Sequence, residues 1–235
     1  MQQEQEKTRG YLAARPKPTG ESSAPVGLHP LELDIQRDGF LYVPQGYQPT
    51  HPMPLVLMLH GAGGTAHGTL SYFLPSIEQI DFLLLVPQSR QQTWDAIEHG
   101  TGVYNADVSF IECALEQIFS RYAVDASLLA IGGFSDGASY ALSLGLMNGD
   151  LFNHIIAFSP GFLSPLYTEG KPRIFISHGR HDPVLPIDRC SRKIVPLLQH
   201  NNYDVHYHEF DGMHAIPLDI IHEAWRWFLD GYIPI

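Results

Sequence analysis

The sequence predicts an α/β protein with a mostly parallel sheet, and three observations lead to this class. Short apolar runs without alternation, at residues 55–59 and 82–86, are typical of strands that are buried on both faces. Segments with apolar residues at helical spacing, such as residues 107–121, lie between runs of this kind. Strands and helices that alternate along a chain build a mostly parallel sheet covered by helices.

The elements follow one another in a regular order. Alternation over residues 31–36, a turn at 37–39 and a return over 40–43 predict a hairpin. Asp107 is placed to cap the first long helix, and Gly231 suits the C′ position of the last one. Further strands are expected at residues 128–132, 154–158, 173–177 and 204–210, and further helices at 136–148, 187–200 and 217–230.

Length and composition set the domain organisation. The chain has 235 residues, of which 44% are hydrophobic and 17% charged, as in ordinary folded proteins. Residues 1–28 are polar and rich in Pro, Gly and Ser. We expect the first ten or so to form a frayed tail and the rest an arm on the surface. Residues 29–235 are expected to form a single domain.

The charge balance excludes several partners. Lys and Arg number 14 against 25 Asp and Glu, a net charge of −11, which argues against binding to nucleic acid or to anionic membranes.

No apolar run approaches the roughly 20 residues that span a bilayer, and the first residues contain no secretory h-region. Two separated cysteines, Cys113 and Cys190, fit free thiols in a reducing cytoplasm, although one bridge is possible.

Ser135 is the candidate nucleophile. It lies at the centre of a G-x-S-x-G pattern at residues 133–137, between an apolar strand and an apolar helix. A serine on such a sharp turn has a strained backbone, and its neighbours two residues away must be small so that strand and helix can approach. The turn also places the serine at a helix N-terminus, where N–H groups face developing negative charge. The alternative is a tight turn with an incidental serine.

Asp182 and His214 are the candidate acid and base. A serine hydroxyl needs a base within hydrogen-bond reach, and the base needs an orienting group. Asp182 follows the strand at 173–177, and His214 follows the strand at 204–210. The order serine, acid, histidine therefore brings all three groups to the carboxyl edge of the sheet.

Other residues compete for these two roles. His178 and His181 are rivals for the base, but His181 is next to Asp182 in sequence and neighbours rarely point at each other. His178 fits a structural place in its loop. Asp211 is the rival acid, but it is close to His214 and lies at the strand end.

A glycine-rich loop at residues 60–64 offers a site for an oxyanion. It follows the strand at 55–59, so a backbone N–H can point toward the nucleophile. The candidate donors are the N–H groups of Ala62 and Asp136. A phosphate-binding loop is the alternative, but the segment is neither G-x-G-x-x-G nor a Walker loop with its lysine.

Taken together, these segments resemble the α/β-hydrolase superfamily, and within it the small phospholipase/carboxylesterase group. There is also similarity to esterases related to polyhydroxybutyrate depolymerase and feruloyl esterase. The similarity spans roughly residues 31–230, nearly the whole chain, and its motifs agree in order and spacing. It is carried by residues 42–44, 59–64, 93–95, 133–137, 178–186 and 212–214.

The resemblance implies an eight-stranded, mostly parallel sheet, a Ser-His-Asp mechanism without cofactor or metal, and carboxylic ester substrates. One residue departs from the pattern: members often have Gln, Asn or His after the nucleophile, and this chain has Asp136. Its carboxylate must turn away from the oxyanion, into a local hydrogen bond, or it would weaken the oxyanion hole.

The substrate cleft is expected to be open. A cap domain commonly follows the sixth strand in this superfamily, and residues 159–172 are too few to build one. An open cleft gives little shelter to a long acyl chain. Candidate walls, for which ordinary packing is an equal alternative, are Trp94, Phe162, Leu163, Val184, Leu185 and Met213.

The sequence therefore predicts a cytoplasmic serine carboxylic-ester hydrolase for short- to medium-chain acyl esters of small molecules. A lysophospholipase or acyl-protein thioesterase with the same triad is one alternative, and perhydrolysis or C–C cleavage on the same fold is another. A catalytically idle ligand-binding member is a third, from a different class.

His206 and His208 have a spacing that metal ligands could use, but no third ligand is evident. The oligomeric state, monomer or homodimer, stays open.

Overall fold

An eight-stranded sheet runs through the computed structural model, which describes residues 10–17, 25–77, 81–98 and 102–232. The strand order is β1-β2-β4-β3-β5-β6-β7-β8, with β1 and β2 antiparallel to their neighbours and the other strands parallel. The predicted fold class is confirmed. The strands are β1 Gly27–Pro30, β2 Gly39–Val43, β3 Met53–Leu59, β4 Leu83–Pro87, β5 Val124–Phe134, β6 His154–Phe158, β7 Arg173–Gly179 and β8 Val205–Phe210.

Helices cover both faces of this sheet. Alternate residues of β3 point to opposite sides, so Leu57 belongs to one hydrophobic cluster and Met58 to the other. The first cluster lies under α3, α4 and α5, and the second under α1 and α6. The helices are α1 Ala66–Ile77, α2 Asp95–Glu98, α3 Ala106–Arg121, α4 Asp136–Met147, α5 Ser191–His200 and α6 Leu218–Phe228.

The predicted hairpin is displaced along the chain. β2 pairs with Gly27–Pro30, and residues 31–38 form the connection rather than a strand. The Asp38 carboxylate accepts the N–H groups of Glu32 and Leu33, and Asp34 accepts those of Gln36 and Arg37. These side chains satisfy N–H groups that a ladder would have used.

Helix boundaries differ from the sequence expectations in three places. Asn105, rather than Asp107, occupies the N-cap of α3, because Asp107 turns inward to accept the N–H groups of Arg90 and Asp95. The helix expected at 187–200 begins only at Ser191. The last helix ends at Phe228, so Gly231, at φ +84°, lies beyond the C′ position predicted for it.

Helix α1 has no counterpart among the predicted elements. Its segment contains Gly68 and Pro75, residues that usually interrupt helices. Burial outweighs this low propensity, because Leu70, Phe73 and Ile77 fill the space over the sheet. The helix forms one side of the cavity described below.

Part of the N-terminal arm packs into the fold. The tail expected at residues 1–9 lies outside the described residues, but Leu12 is fully buried and Ala14 nearly so. The N–H of Leu12 donates to Asn148 Oδ1 at 2.7 Å, and Asn148 Nδ2 donates to the Gly10 carbonyl. A purely superficial arm is therefore wrong for these residues. The described residues from Gly27 already belong to β1.

Replacing a buried isoleucine should distinguish the observed fold from the hairpin that the sequence predicts at residues 31–43. Ile131 in β5 is fully buried, whereas Ile35, expected on a half-buried face, is fully exposed. We expect Ile131→Ala to lower the free energy of unfolding by about 2–5 kcal/mol. Ile35→Ala should change it by less than about 0.5 kcal/mol. Urea denaturation checks both, and an equal loss at the two positions would contradict the placement of residues 31–38.

Candidate active site

A strained turn at Ser135 connects β5 to α4. The backbone of Ser135 has φ +57° and ψ −119°, in the left-handed region that non-glycine residues rarely adopt. A Cβ at Gly133 would lie 2.4 Å from the Gly137 carbonyl, and a Cβ at Gly137 would lie 2.4 Å from the Leu59 oxygen. Both glycines are therefore required by the close approach of strand and helix, as the sequence argument predicts.

Three loops at the carboxyl edge of the sheet bring the candidate triad side chains together. Ser135 Oγ lies 2.9 Å from His214 Nε2, and His214 Nδ1 lies 2.5 Å from Asp182 Oδ2. The loops after β7 and β8 approach closely at Gly179, where a Cβ would lie 2.2 Å from the Met213 carbonyl oxygen. One hydrogen-bonded chain therefore links carboxylate, imidazole and hydroxyl.

The Asp182 carboxylate is buried and bonded on both oxygens. Oδ1 accepts the N–H groups of Val184 and Leu185 at 2.9 and 2.8 Å, and Oδ2 faces His214. Burial by itself raises the pKa of Asp182, but the hydrogen bonds from Leu185, His214 and Val184 outweigh it. The pKa of this carboxyl therefore lies below its ordinary value, and Asp182 is ionised when His214 takes up a proton.

The rival residues have other partners. His181 lies on the surface, where its Nε2 pairs with Asp211 Oδ1 at 2.9 Å. His178 is fully buried, with contacts to Ser191, Leu185 and Asp182. Neither histidine forms the hydrogen bond to Ser135 that His214 forms.

The glycine-rich loop after β3 packs directly against the nucleophile. A Cβ at Gly61 would lie 3.3 Å from the Ser135 Cβ. His60 anchors the loop from beneath: its Nε2 accepts the Ser89 N–H, so its Nδ1 carries the proton and donates to the Gly61 carbonyl. Burial lowers the pKa of His60, which keeps this ring neutral. Ala62, the predicted oxyanion donor, borders a cavity together with His214.

Three consecutive residues tie the loops around the site to one another. Thr93 Oγ1 donates to Asp136 Oδ2 at 2.8 Å, which gives the Asp136 carboxylate a local hydrogen bond. Trp94 Nε1 donates to the His60 carbonyl at 2.8 Å, and Asp95 accepts the Tyr140 hydroxyl. Trp94 is fully buried, so its predicted role as a substrate wall is wrong. The ring instead supports the glycine-rich loop.

A cavity of about 440 Å³ opens beside His214 and the glycine-rich loop. α1 forms one wall, and the Tyr72 hydroxyl donates to the Ile216 carbonyl across the cavity. The Phe134 ring packs against the His214 ring at 4.7 Å between centroids. The cavity is lined by His60, Gly61, Ala62, Gly64, Thr65, Gly68, Thr69, Tyr72, Phe73, Phe134, His214, Ala215 and Ile216.

The other predicted wall residues do not line this cavity. Val184 and Met213 are largely exposed next to Asp182 and His214 in sequence. Phe162, Leu163 and Leu185 are half-buried. Sequence reasoning missed most of the residues that line this cavity because α1 was not predicted. Two of the lining residues could have been found from the sequence, because Phe134 directly precedes the candidate nucleophile and Ile216 follows the candidate base by two positions.

The remaining sequence candidates have ordinary structural places. His206 and His208 each pair with Glu223, at 2.7 and 2.8 Å. Cys113 and Cys190 are both free thiols. Within the part of the chain that the structure describes, no group of three or more His, Cys, Asp or Glu is arranged to hold a metal. Among the same residues, no helix has the length and apolar character that crossing a bilayer requires.

The sequence profile of the phospholipase/carboxylesterase family matches residues 46–228, which include every element from β3 to α6. The chain belongs to this family. Among curated relatives, feruloyl esterase C of Emericella nidulans is 27% identical over 160 residues, 65% of this chain and 57% of the relative. Probable feruloyl esterase C of Aspergillus niger is 29% identical over the same shares. This family member therefore spans a little under three fifths of the length of those relatives.

Solved structures show the same fold at low sequence identity. A phospholipase/carboxylesterase from Dyadobacter fermentans has a TM-score of 0.61 and 21% identity, covering 88% of this chain and 98% of its own. S-formylglutathione hydrolase from Staphylococcus aureus has a TM-score of 0.69 and 14% identity, with 88% and 99% covered. The α/β-hydrolase fold is thus shared across the length of this phospholipase/carboxylesterase family member.

The steric requirement at the turn gives a direct test. We expect Gly137→Ala to cost about 3 kcal/mol, because its Cβ would meet backbone atoms that cannot move aside. Gly46→Ala is the matched control: its Cβ would lie 3.7 Å from the nearest atom, a side-chain oxygen, and it should change stability by less than about 0.5 kcal/mol. Chemical denaturation measures both, and a neutral Gly137→Ala would contradict the turn geometry.

Proposed function

We propose that this protein is a serine carboxylic-ester hydrolase with Ser135 as nucleophile, His214 as general base and acid, and Asp182 as the orienting carboxylate. The observation that carries the proposal is the continuous hydrogen-bonded chain from Asp182 through His214 to Ser135. It ends at a strained nucleophile turn beside a cavity. A Ser-His-Asp set in this order is the arrangement that activates a serine hydroxyl.

The reaction runs in two halves. Ser135 Oγ attacks the ester carbonyl while its proton passes to His214 Nε2. Collapse of the tetrahedral intermediate breaks the ester C–O bond, and the leaving alcohol takes the proton from His214. Water then attacks the acyl-enzyme, again with His214 as base, and releases the acid. The ionised Asp182 keeps the proton on His214 Nδ1 and stabilises the imidazolium.

The backbone N–H groups of Ala62 and Asp136 stabilise the negative charge on the substrate oxygen. Asp136 is the first residue of α4, so its N–H has no partner within the helix and lies at the positive end of the helix dipole. Thr93 donates a hydrogen bond to the Asp136 carboxylate. This bond directs the negative charge of Asp136 toward Thr93. Each such donor contributes about 3–4 kcal/mol of transition-state stabilisation in comparable enzymes.

The dimensions of the cavity favour compact substrates. Its volume of about 440 Å³ is at the lower end of small-molecule sites. The segment between β6 and β7, residues 159–172, contains no helix or strand that could serve as a cap. We therefore propose short- to medium-chain acyl esters. The Tyr72 and Phe134 rings in the lining also favour an aromatic acyl group, as in the substrates for which the feruloyl esterase relatives are named.

The proposed partner is a small-molecule ester, and the proposed location is the cytoplasm. The two free thiols support this location, because unpaired cysteines are typical of reducing compartments.

Removal of the nucleophile tests the mechanism. Ser135→Ala should lower kcat for p-nitrophenyl acetate by about 10⁴-fold or more, because nothing else in the chain of hydrogen bonds can form the acyl-enzyme. Ser120→Ala, at an exposed position on α3, is the matched control and should retain wild-type rates. Retained activity in Ser135→Ala would exclude this serine as nucleophile. An inactive wild type would favour the idle ligand-binding alternative.

Acyl-chain preference tests the open cleft. With p-nitrophenyl esters from C2 to C16, we expect kcat/KM to peak at about C2–C6 and to fall beyond about C10, since a longer chain finds no enclosed apolar channel. Methyl ferulate in the same panel reports on the aromatic lining. A maximum at long chains would contradict the compact-substrate proposal and favour the lysophospholipase or thioesterase alternative.

A further inference from the structure

His178 lies directly behind the candidate triad and takes no part in the steps above. It is at the carboxyl end of β7, and its side chain is fully buried. Its Nε2 lies 2.8 Å from the Leu185 carbonyl oxygen and 3.3 Å from Asp182 Oδ2. Its Nδ1 lies 2.7 Å from Ser191 Oγ, at the start of α5. Both ring nitrogens therefore have partners.

These contacts fix the protonation of the His178 ring. A carbonyl oxygen can only accept, so the short contact to Leu185 requires a hydrogen on Nε2. Burial lowers the pKa of His178, so the ring is neutral and carries one proton. Nδ1 is then an acceptor, and it receives the Ser191 hydroxyl. His178 thus presents an N–H donor, rather than a base, toward Asp182.

The same loop closes around the Asp182 carboxylate from both sides. The Leu185 N–H donates to Asp182 Oδ1, while the Leu185 carbonyl accepts from His178. Two histidines, His178 and His214, face the single oxygen Oδ2, at 3.3 and 2.5 Å. These two histidines, Asp182 and the buried Cys190 thiol, whose pKa is raised by burial and by Asp182, are the titratable groups that act on one another here. The orientation of Asp182 therefore depends on His178 directly and through the loop.

We propose that His178 is a positioning residue for the triad: its Nε2–H donates to the Leu185 carbonyl and lies 3.3 Å from Asp182 Oδ2, so that Asp182 meets His214 in the working geometry. The inference rests on the proposed function, since it concerns how that site is held. Ser191 completes the arrangement by fixing the ring with Nε2 toward the carboxylate.

Loss of this donor has consequences that simple packing would not have. Without the His178 N–H, more of the Asp182 charge acts on His214, which raises the proton affinity of the base. The rise of kcat/KM with pH should then move to higher pH, because His214 must lose its proton to act. A carboxylate free to turn also misaligns the imidazole, and misplacement by about 1 Å can cost 10²-fold in rate.

Glutamine and asparagine at position 178 distinguish the loss of the hydrogen-bond donor from a change in side-chain volume. The amide nitrogen of glutamine reaches the place of Nε2, whereas that of asparagine reaches only the place of Nδ1. We expect His178→Gln to retain most of the activity on p-nitrophenyl acetate. His178→Asn should lose about 10–100-fold, mainly in kcat, and its pH profile should shift upward. The matched control is His181→Asn on the exposed neighbour, which should behave as wild type.

A second readout is independent of activity. The proton between His214 Nδ1 and Asp182 gives a downfield NMR resonance, which should move or broaden in His178→Asn and stay unchanged in His178→Gln and His181→Asn. If wild type hydrolyses no ester, the proposed function fails, and this resonance still decides whether His178 positions Asp182. Equal rates, pH profiles and resonances in the Asn and Gln variants would overturn the inference while leaving the esterase intact.

Thermal unfolding identifies any variant that does not fold. Should His178→Asn lose its cooperative transition, Ser191→Ala provides the test, since it removes only the hydroxyl that fixes the ring. We expect kcat of this variant to fall by at least about 3-fold, because a partial misplacement of the imidazole can cost more than this. Its pH profile should shift upward as in His178→Asn. Wild-type kinetics and an unchanged resonance in Ser191→Ala would then overturn the inference.

Discussion

The site depends on a close backbone approach between β3, β5 and α4. At Gly133 and Gly137 the chains come so near that any side-chain carbon would overlap carbonyl groups of the opposite segment. This contact forces Ser135 into a left-handed backbone conformation, with its side chain at the edge of the sheet. The strain is maintained because α4 is buried from Gly137 to Met147 and cannot relax away from the sheet. Everything that acts on the hydroxyl is arranged relative to this turn.

Buried polar side chains then hold the surrounding loops in place. Asp95 and Asp107 each accept a backbone N–H from the other, so the segments at 93–95 and 105–107 are joined reciprocally. Two further hydrogen bonds extend this network: Trp94 donates to the glycine-rich loop, and Tyr140 of α4 donates to Asp95. A buried carboxylate is tolerated when N–H groups donate hydrogen bonds to it. Because these donors lie on neighbouring loops, the same hydrogen bonds hold the loops in a single arrangement. In the proposed mechanism, this single arrangement keeps the oxyanion donors and the nucleophile in position before a substrate arrives.

The cavity beside His214 forms where the sheet edge meets α1, an element that holds none of the candidate triad residues. The Tyr72 hydroxyl donates to the Ile216 carbonyl, which links α1 to the loop that carries His214. On the opposite side of the triad, His178 and Ser191 connect Asp182 to the start of α5. The hydrogen-bonded chain of Ser135, His214 and Asp182 is therefore connected to a helix on each side.

The sequence by itself determined the α/β class with its mostly parallel sheet, and the strand ends that Ser135, Asp182 and His214 follow. This was possible because each residue follows a continuous apolar strand, and parallel strands deliver their following loops to one edge. The glycine pair around Ser135 is likewise a local steric requirement that the chain itself records.

Only the tertiary structure decided the lining of the cavity, the place of Trp94, the hairpin partner and the role of His178. The side chains of Asp34 and Asp38 compete locally with a strand ladder, which an alternating pattern does not reveal. Trp94 and α1 are positioned by packing against distant segments, which sequence periodicity does not encode. His178 acquires its contacts with Leu185 and Ser191 because a loop folds back over the strand end, and that path is set by the whole fold.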